Sequence, residues 1–222
     1  MNDNKVYAIH PDDLPIRFIM EDQDFALREK QRKKFHQELR NAFPILWRKH
    51  ENDTDDSFSQ EYDCFTQPST DSGWNELIWK TSESLNNLIQ EITAIFSRND
   101  LPIAVQVKEK FGTLRFHCDG HWDLYPKEFN QNFHRIVSDS AYESEKICEE
   151  CGKPGEIRIN SPDDLKEKLT LIKCRCEHCW IVDAINLANF AHKNNRTKKG
   201  DKDFYAKKVE KLSQMLSILE SK

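Results

Sequence analysis

Apolar residues recur at steps of three and four in several long stretches of the chain, and this spacing predicts amphipathic helices. The first helix is predicted within residues 24–50, where Pro44 is expected to kink or split it because proline removes a helical hydrogen-bond donor. A second helix follows Gly73, a third is predicted over residues 126–147, and a last helix begins near Asp201. Most of the regular structure is therefore expected to be helical.

Between the second and third helices the period changes to two, which is typical of a half-buried strand. Apolar residues from Ile103 to Val107 alternate with more polar neighbours, and the alternation resumes at Leu114. A turn around Gly112, which is free to adopt positive φ, joins the two runs. The sequence predicts a β-hairpin over residues 103–119.

Four of the seven cysteines form two pairs with the spacing of metal ligands. Cys148 and Cys151 are followed by Gly152, for which positive φ is expected, and Cys176 and Cys179 repeat the pair after 24 intervening residues. Two such turns on opposing hairpins can close a tetrahedron of thiolates around Zn²⁺, with Zn–S distances of about 2.3 Å. Because four protein ligands leave no position for water, the pattern predicts one structural zinc ion.

The exact ligand set stays open at the second pair. Cys174 could replace Cys176, and His178 could substitute for Cys179, although the repeated spacing favours 176 and 179. The two remaining cysteines are interpreted as packing residues. They are Cys64 and Cys118.

Short strand candidates between the cysteine pairs, at 156–159 and 169–172, complete a zinc-ribbon pattern. The predicted fold class is α+β, with helices packed around a small antiparallel β-hairpin and an inserted zinc ribbon. The predicted segments are 1–63 (extended segment, basic helix and acidic loop), 64–147 (helix–hairpin–helix core), 148–182 (zinc ribbon) and 183–222 (C-terminal helices).

Composition limits the expected partners and cellular compartment of the protein. The net charge of −5 argues against wholesale coating of nucleic acid. No apolar run is long enough to span a bilayer, and the first residues lack the apolar segment of a secretory signal, so we expect no membrane association and a cytoplasmic location. In a reducing cytosol, seven cysteines indicate free thiols or metal ligands instead of disulfides.

Charge is unevenly distributed along the chain. Residues 24–50 carry eight basic and three acidic side chains, and residues 192–222 carry nine and four, whereas residues 51–191 carry 14 and 26. Such runs usually form solvated helix faces. The alternative is that one or both basic ends contact an acidic partner or a nucleic-acid backbone.

A histidine and aspartate group offers a second candidate for chemistry. His117, Asp119 and His121 would share one side of a continued strand. Together with Asp123 they could hold a metal ion or perform acid–base catalysis in a hydrolase or nuclease. Gly120 is expected to end the strand, which would break this geometry.

A third candidate is a basic group on the predicted hairpin, for contact with a partner or a nucleic acid. Its members are Lys108, Lys110 and Arg115. With Phe111 and Phe116 interleaved, these residues can form a surface that stacks bases and contacts phosphates. The structural alternative is that Glu109 neutralises the lysines locally while both aromatic rings fill the core.

Four motifs resemble a family of small uncharacterised proteins of bacteria and their bacteriophages. They are Gly73-Trp74, VKEKFGTLRF at 107–116, CEECGKPG at 148–155 and CxxC at 176–179. The resemblance implies that the gene is carried by a phage or another mobile element and that the protein acts in the bacterial cytoplasm. In that setting, small acidic proteins often bind and block host machinery. The family often has an aromatic residue where His117 stands, which weakens a metal role for it, and Cys174 departs from the family pattern.

The closed metal site and the resemblance together predict a non-enzymatic zinc-ribbon protein that binds a host protein and inhibits or modulates defence or related machinery. An alternative is a nucleic-acid-binding regulator that uses the ribbon and the basic helices. A metal-dependent hydrolase or nuclease at His117, Asp119 and His121 is less favoured. In the last helix, a heptad seam from Tyr205 to Leu219 predicts packing against the protein itself, with a homodimer through residues 203–220 as the alternative.

Overall fold

The structure of the protein, a computed structural model, describes residues 22–48, 68–160, 171–193 and 199–221. Within these ranges it has five α-helices and two antiparallel two-stranded sheets, so the predicted α+β fold class is confirmed. The predicted acidic loop at 51–63 and Cys64 lie outside them. The elements are α1 (Asp22–Ala42), α2 (Asn75–Gln90), β1 (Ile103–Lys110), β2 (Thr113–Asp119), α3 (Lys127–Ser144), β3 (Glu156–Asn160), β4 (Leu171–Arg175), α4 (Glu177–Lys193) and α5 (Lys199–Glu220).

The chain divides into two compact units. The first comprises Met1–Glu29 and Ile181–Lys222, and the second comprises Lys30–Trp180. Both sheets and all four cysteines of the predicted metal site belong to the second unit. The predicted division of the sequence into four segments stays a prediction.

The core of the second unit lies against the inner face of the β1–β2 hairpin. Alternation along the strands turns Val107, Leu114 and Phe116 inward, and all three side chains are buried. Trp47 packs edge-on against Phe116, with ring centroids 5.7 Å apart. The buried helical residues of the same core include Leu39, Ile78, Leu85, Ile89, Phe129 and Phe133. The hairpin is thus anchored by one face, and the charged residues of its other face are half-buried or exposed.

The apolar spacing and Pro44 predict the C-terminal end of α1 correctly, but the apolar spacing does not predict the end of α2. Helix α1 ends at Ala42, two residues before Pro44, as proline requires. Helix α2 ends at Gln90, although the apolar spacing predicts helix as far as Phe96. Residues 91–95 instead form turns in which Ile92 donates its amide to the carbonyl of Ile89, three residues earlier. Tightened turns keep a similar apolar face, and for that reason the spacing alone does not reveal the change.

The turn between β1 and β2 contains a strained residue. Gly112 has a φ of 78°, as expected from its sequence context, but Phe111 also has a positive φ, of 57°. Two successive residues with positive φ form the tight turn that matches the twist of a two-residue hairpin. Left-handed backbone is unfavourable for a bulky residue, and the Phe111 side chain is 60% exposed, so little packing compensates for it.

In the first unit, α4 and α5 share a small buried cluster. Tyr205 is buried with Ala188, and Val209 packs against both. Of the heptad residues, Tyr205 and Leu212 are buried and Leu219 is half-buried, so part of the seam is already covered. A homodimer through residues 203–220 stays a prediction.

No helix in the described part of the chain is long and apolar enough to cross a membrane.

Replacing Phe111 with glycine should stabilise the protein, because left-handed backbone costs a non-glycine residue roughly 1–2 kcal/mol. Glycine gains freedom in the unfolded chain, so we expect a net increase of about 0.5–1 kcal/mol in the free energy of unfolding. Urea unfolding measures the change. As a matched control, Lys110→Gly in the adjacent strand position should lower the free energy of unfolding. A lower urea midpoint for Phe111→Gly would show that the turn is not strained.

Candidate metal centre

The second unit brings four cysteine sulfurs to one point. The Sγ atoms of Cys148, Cys151, Cys176 and Cys179 all lie within 4.8 Å of one another, and those of Cys151 and Cys176 are 3.6 Å apart. Four sulfurs at about 2.3 Å from one ion would lie about 3.8 Å from each other. Among the described residues, this is the one group of histidine, cysteine or acidic side chains arranged to hold a metal ion. These cysteines can hold a metal ion such as zinc.

The first cysteine pair lies on a tight turn closed by backbone hydrogen bonds. The amide of Cys148 donates to the carbonyl of Lys153 at 2.8 Å, and the amide of Gly152 donates to the carbonyl of Cys148 at 2.9 Å. Gly152 has a φ of 74°, as the sequence predicts for the residue after the second thiol. The turn holds Cys148 buried and Cys151 exposed, so that one thiol lies at the surface.

The second cysteine pair lies at the start of a helix and not on the turn of a hairpin, which corrects the expected geometry. Cys176 directly precedes α4, and Cys179 lies in its first turn. The amide of Cys179 donates to the sulfur of Cys176 at 3.5 Å, in the manner of a helix N-cap. The positive end of the helix dipole favours thiolates at both positions.

The thiols of Cys148, Cys176 and Cys179 differ in how readily they ionise. Burial raises the pKa of Cys148 and of Cys179. Burial also opposes ionisation of Cys176, but hydrogen bonds from the Cys179 amide and the neighbouring thiols outweigh it and lower the pKa of Cys176. A cation at the centre of the cluster would supply the charge that the buried thiolates need, and binding would release their protons.

The alternative ligands near the second pair lie outside the cluster. Cys174 is buried in β4, where its thiol donates to the carbonyl of Glu145 at 3.1 Å, and burial raises its pKa to about 11. His178 is half-buried on α4 and is not a member of the group. Cys118, interpreted as a packing residue, packs against the core.

A buried carboxylate between the first two cysteines connects the metal centre to the rest of the unit. Glu149 is 2% exposed and lies 3.2 Å from a guanidinium nitrogen of Arg175 and 3.4 Å from the Lys173 amine. Its carboxylate also accepts the amide of Asp71 at 3.3 Å. Arg175 in turn contacts the Asp71 carboxylate at 3.2 Å, and Lys173 contacts Glu109 of β1 at 2.8 Å. We call these five residues the ionic network.

Opposing effects act on the charges of the ionic network. Burial raises the pKa of Glu149, while Lys173 and Arg175 act in the opposite direction. Burial alone would lower the pKa of Lys173, but the carboxylates of Glu149 and Glu109 outweigh it and raise that pKa. A buried charge is tolerated only with partners. The turn at Cys148–Cys151, which we call the metal loop, must therefore keep its position for the network to form.

The Gly73-Trp74 motif is explained by close approach to the metal loop. The amide of Gly73 donates to the carbonyl of Glu149 at 2.7 Å, and a Cβ on Gly73 would lie 2.2 Å from the carbonyl oxygen of Cys148. The buried Trp74 donates its indole N–H to the carbonyl of Ile147 at 2.8 Å. Only glycine fits this approach. Sequence reasoning identified the motif but not its contact.

The histidine and aspartate candidates do not form a metal-holding group in the described part of the chain. Strand β2 ends at Asp119, as expected, and the Asp119 carboxylate accepts the amide of Gly120 at 2.8 Å. His121 lies beyond the strand, where its Nε2 atom is 3.6 Å from the carboxylate of Asp100. His117 is exposed on the outer face of β2.

The basic hairpin candidates are placed on one face. Lys108 lies directly opposite Arg115 in the strand register, and Lys110 lies opposite Thr113. The structural alternative is right for Phe116, which is buried, but wrong for Phe111, which is exposed. It is also wrong for Glu109, because its carboxylate contacts Lys173 of β4 and not the lysines on either side of it.

No protein-family model, curated protein or solved structure matches this chain. The resemblance to small bacterial and bacteriophage proteins therefore stays a prediction. In the structure itself, the four cysteine sulfurs lie beside the buried ionic network.

Replacing Glu149 with glutamine should destabilise the protein by about 1.5–3 kcal/mol, because it removes the buried carboxylate that Lys173 and Arg175 share and leaves them only their contacts with Glu109 and Asp71. The free energy of unfolding in urea, measured at saturating metal, checks this. The matched control is Glu76→Gln, which breaks an exposed pair with Lys80 at 2.6 Å and should leave the free energy of unfolding nearly unchanged, because solvent screens such a pair. Equal small effects for the two variants would mean that the network contributes nothing beyond a surface pair.

Proposed function

We propose that this protein is a non-enzymatic binding protein whose second unit is held together by one structural zinc ion. The observation that carries the proposal is the convergence of four sulfurs within 4.8 Å. Four protein thiolates complete tetrahedral coordination and leave no position for a substrate or an activated water. Soft sulfur ligands in this arrangement select zinc or iron over magnesium and calcium, and a mononuclear structural site favours zinc.

The proposed zinc ion would join two parts of the chain that are distant in sequence. It would tie the turn at Cys148–Cys151 to the first turn of α4, across the β3–β4 hairpin. Structural zinc contributes folding free energy directly, with apparent values on the order of 10 kcal/mol in small zinc modules. We therefore expect the metal loop and the ionic network to depend on the ion.

Freshly purified protein should contain one equivalent of zinc by elemental analysis. The double variant Cys148→Ser/Cys151→Ser should lose the metal and unfold at lower urea concentration, whereas the control Cys118→Ala should keep the metal and lose only about 1 kcal/mol for one packed sulfur. Adding a chelator to the wild-type protein should cause the same loss of metal and stability, because the chelator competes with the cysteines for the ion. Less than half an equivalent of zinc, or iron in its place, would reject a structural zinc site.

For the partner, we propose another protein of a bacterial host, bound in the cytoplasm so as to inhibit or modulate defence or related machinery. The support is the likeness of the four motifs to bacterial and bacteriophage proteins, together with the net charge of −5. Tagged wild-type protein should co-purify with one host protein in stoichiometric amount, and the metal-free double variant should not. A wild-type sample that carries no partner would contradict this part of the proposal.

A nucleic-acid-binding regulator is the second candidate, and one observation favours it. Basic side chains lie together on the outer face of the β1–β2 hairpin, where Lys108 and Arg115 are directly opposed. Such a face attracts phosphates, and binding through it would weaken steeply as salt concentration rises.

A further inference from the structure

We propose that the outer face and tip of the β1–β2 hairpin form a contact surface for single-stranded nucleic acid. The proposal rests on the second candidate function above and assigns it to a site. We call this site the hairpin surface, and its residues are Lys108, Lys110, Phe111 and Arg115.

The strand register places like charges side by side. In an antiparallel pair, directly opposed residues point to the same face with Cα atoms about 4.5–5.5 Å apart, and like charges at such positions destabilise the sheet. Lys108 and Arg115 are such a pair, and Lys110 follows on the same face two residues along β1. The hairpin therefore carries a repulsion that a bound anion would relieve.

Within the described residues, little negative charge lies on this face. No ion pair between described residues includes Lys108, Lys110 or Arg115, of which Lys110 is exposed and the other two are half-buried. Glu109 points to the other side of β1, where it contacts Lys173 at 2.8 Å and accepts the Gly112 amide at 2.7 Å. In the described part of the chain, the three cations of the hairpin surface therefore have no acidic partner.

An aromatic ring at the tip distinguishes a nucleic acid from other anions. Phe111 is 60% exposed despite its unfavourable φ of 57°, and the Lys110 amine lies 5.4 Å from the ring centroid. Exposed rings beside cations stack the bases of single strands, whereas a duplex hides those base faces and an acidic peptide has none. Lys108 and Lys110, about 6.8 Å apart along the strand, can follow successive phosphates.

The tip of the β1–β2 hairpin lies against β4. A Cβ built on Gly112 would lie 3.3 Å from the backbone of Lys173 and Cys174 in β4, and Lys173 continues into the ionic network. Since β4 leads directly to the second cysteine pair, the metal-loaded protein presents the hairpin surface in a fixed conformation. Preorganised contacts lower the entropy lost on binding.

Fluorescence anisotropy of the zinc-loaded full chain with a fluorescein-labelled thymidine strand of about 12 nucleotides tests the proposal. Three phosphate contacts predict a slope of about −2 for log affinity against log salt, or about a 20-fold loss between ~50 and ~200 mM. Lys108→Gln/Arg115→Gln should weaken binding about tenfold and reduce the slope to about −0.7. The control Lys127→Gln/Arg135→Gln removes equal charge from α3 and should leave the affinity within about twofold.

Phe111→Gly should weaken binding by about tenfold without loss of folding. Phe111→Trp should bind as tightly as the wild type, because a larger ring stacks equally well. An unchanged affinity for the glycine variant would overturn the stacking role. A duplex of the same length that binds equally well would overturn the preference for single strands. Poly-glutamate that displaces the strand at matched charge, with no effect of Phe111→Gly, would assign the surface to an acidic protein instead.

The remaining outcomes separate the failure of the surface from the failure of the function. Binding that survives in Lys108→Gln/Arg115→Gln would keep the nucleic-acid function and reject this surface. No binding at about 50 mM salt would reject both. The structural role of zinc is judged independently by metal content.

Discussion

The convergence of four cysteine sulfurs is the constraint on which the second unit depends. The two pairs are separated by 24 residues, and the β3–β4 hairpin lies between them. A metal ion held by both pairs would fix where β3 begins and where α4 starts. Uncompensated thiolates would repel one another at these distances, so binding of the ion and closure of the cluster would support each other.

The metal loop positions charge as well as sulfur. Glu149, held between two of the cysteines, is buried, and a buried carboxylate is stable only beside cations such as Arg175 and Lys173. Through Lys173 the same contacts reach Glu109, which accepts the amide of the hairpin turn. A short series of contacts therefore connects the cysteine cluster with the β1–β2 hairpin.

Local patterns predict much of this structure, because strand alternation, proline breaks and cysteine spacing act within a few residues of the chain. The β1–β2 hairpin and the positive φ of Gly152 follow from such patterns. The role of Glu149 does not, because an acidic residue in a polar loop looks like any solvated charge. Its partners in β4 and near Asp71 are distant in sequence, and only folding brings them together. The left-handed backbone of Phe111 does not follow from the sequence either, because the adjacent Gly112 already accounts for the turn and no pattern indicates a second residue with positive φ.

X-ray absorption at the zinc edge of the purified protein reports the number, type and distance of the ligands and so tests the closed sulfur site itself. We predict one shell of four sulfurs at about 2.3 Å and no lighter ligand. A shell containing nitrogen or oxygen at about 2.0–2.1 Å, or fewer than four sulfurs, would contradict it, because an open or mixed site would no longer be the closed structural centre from which the fold and the binding surface are argued.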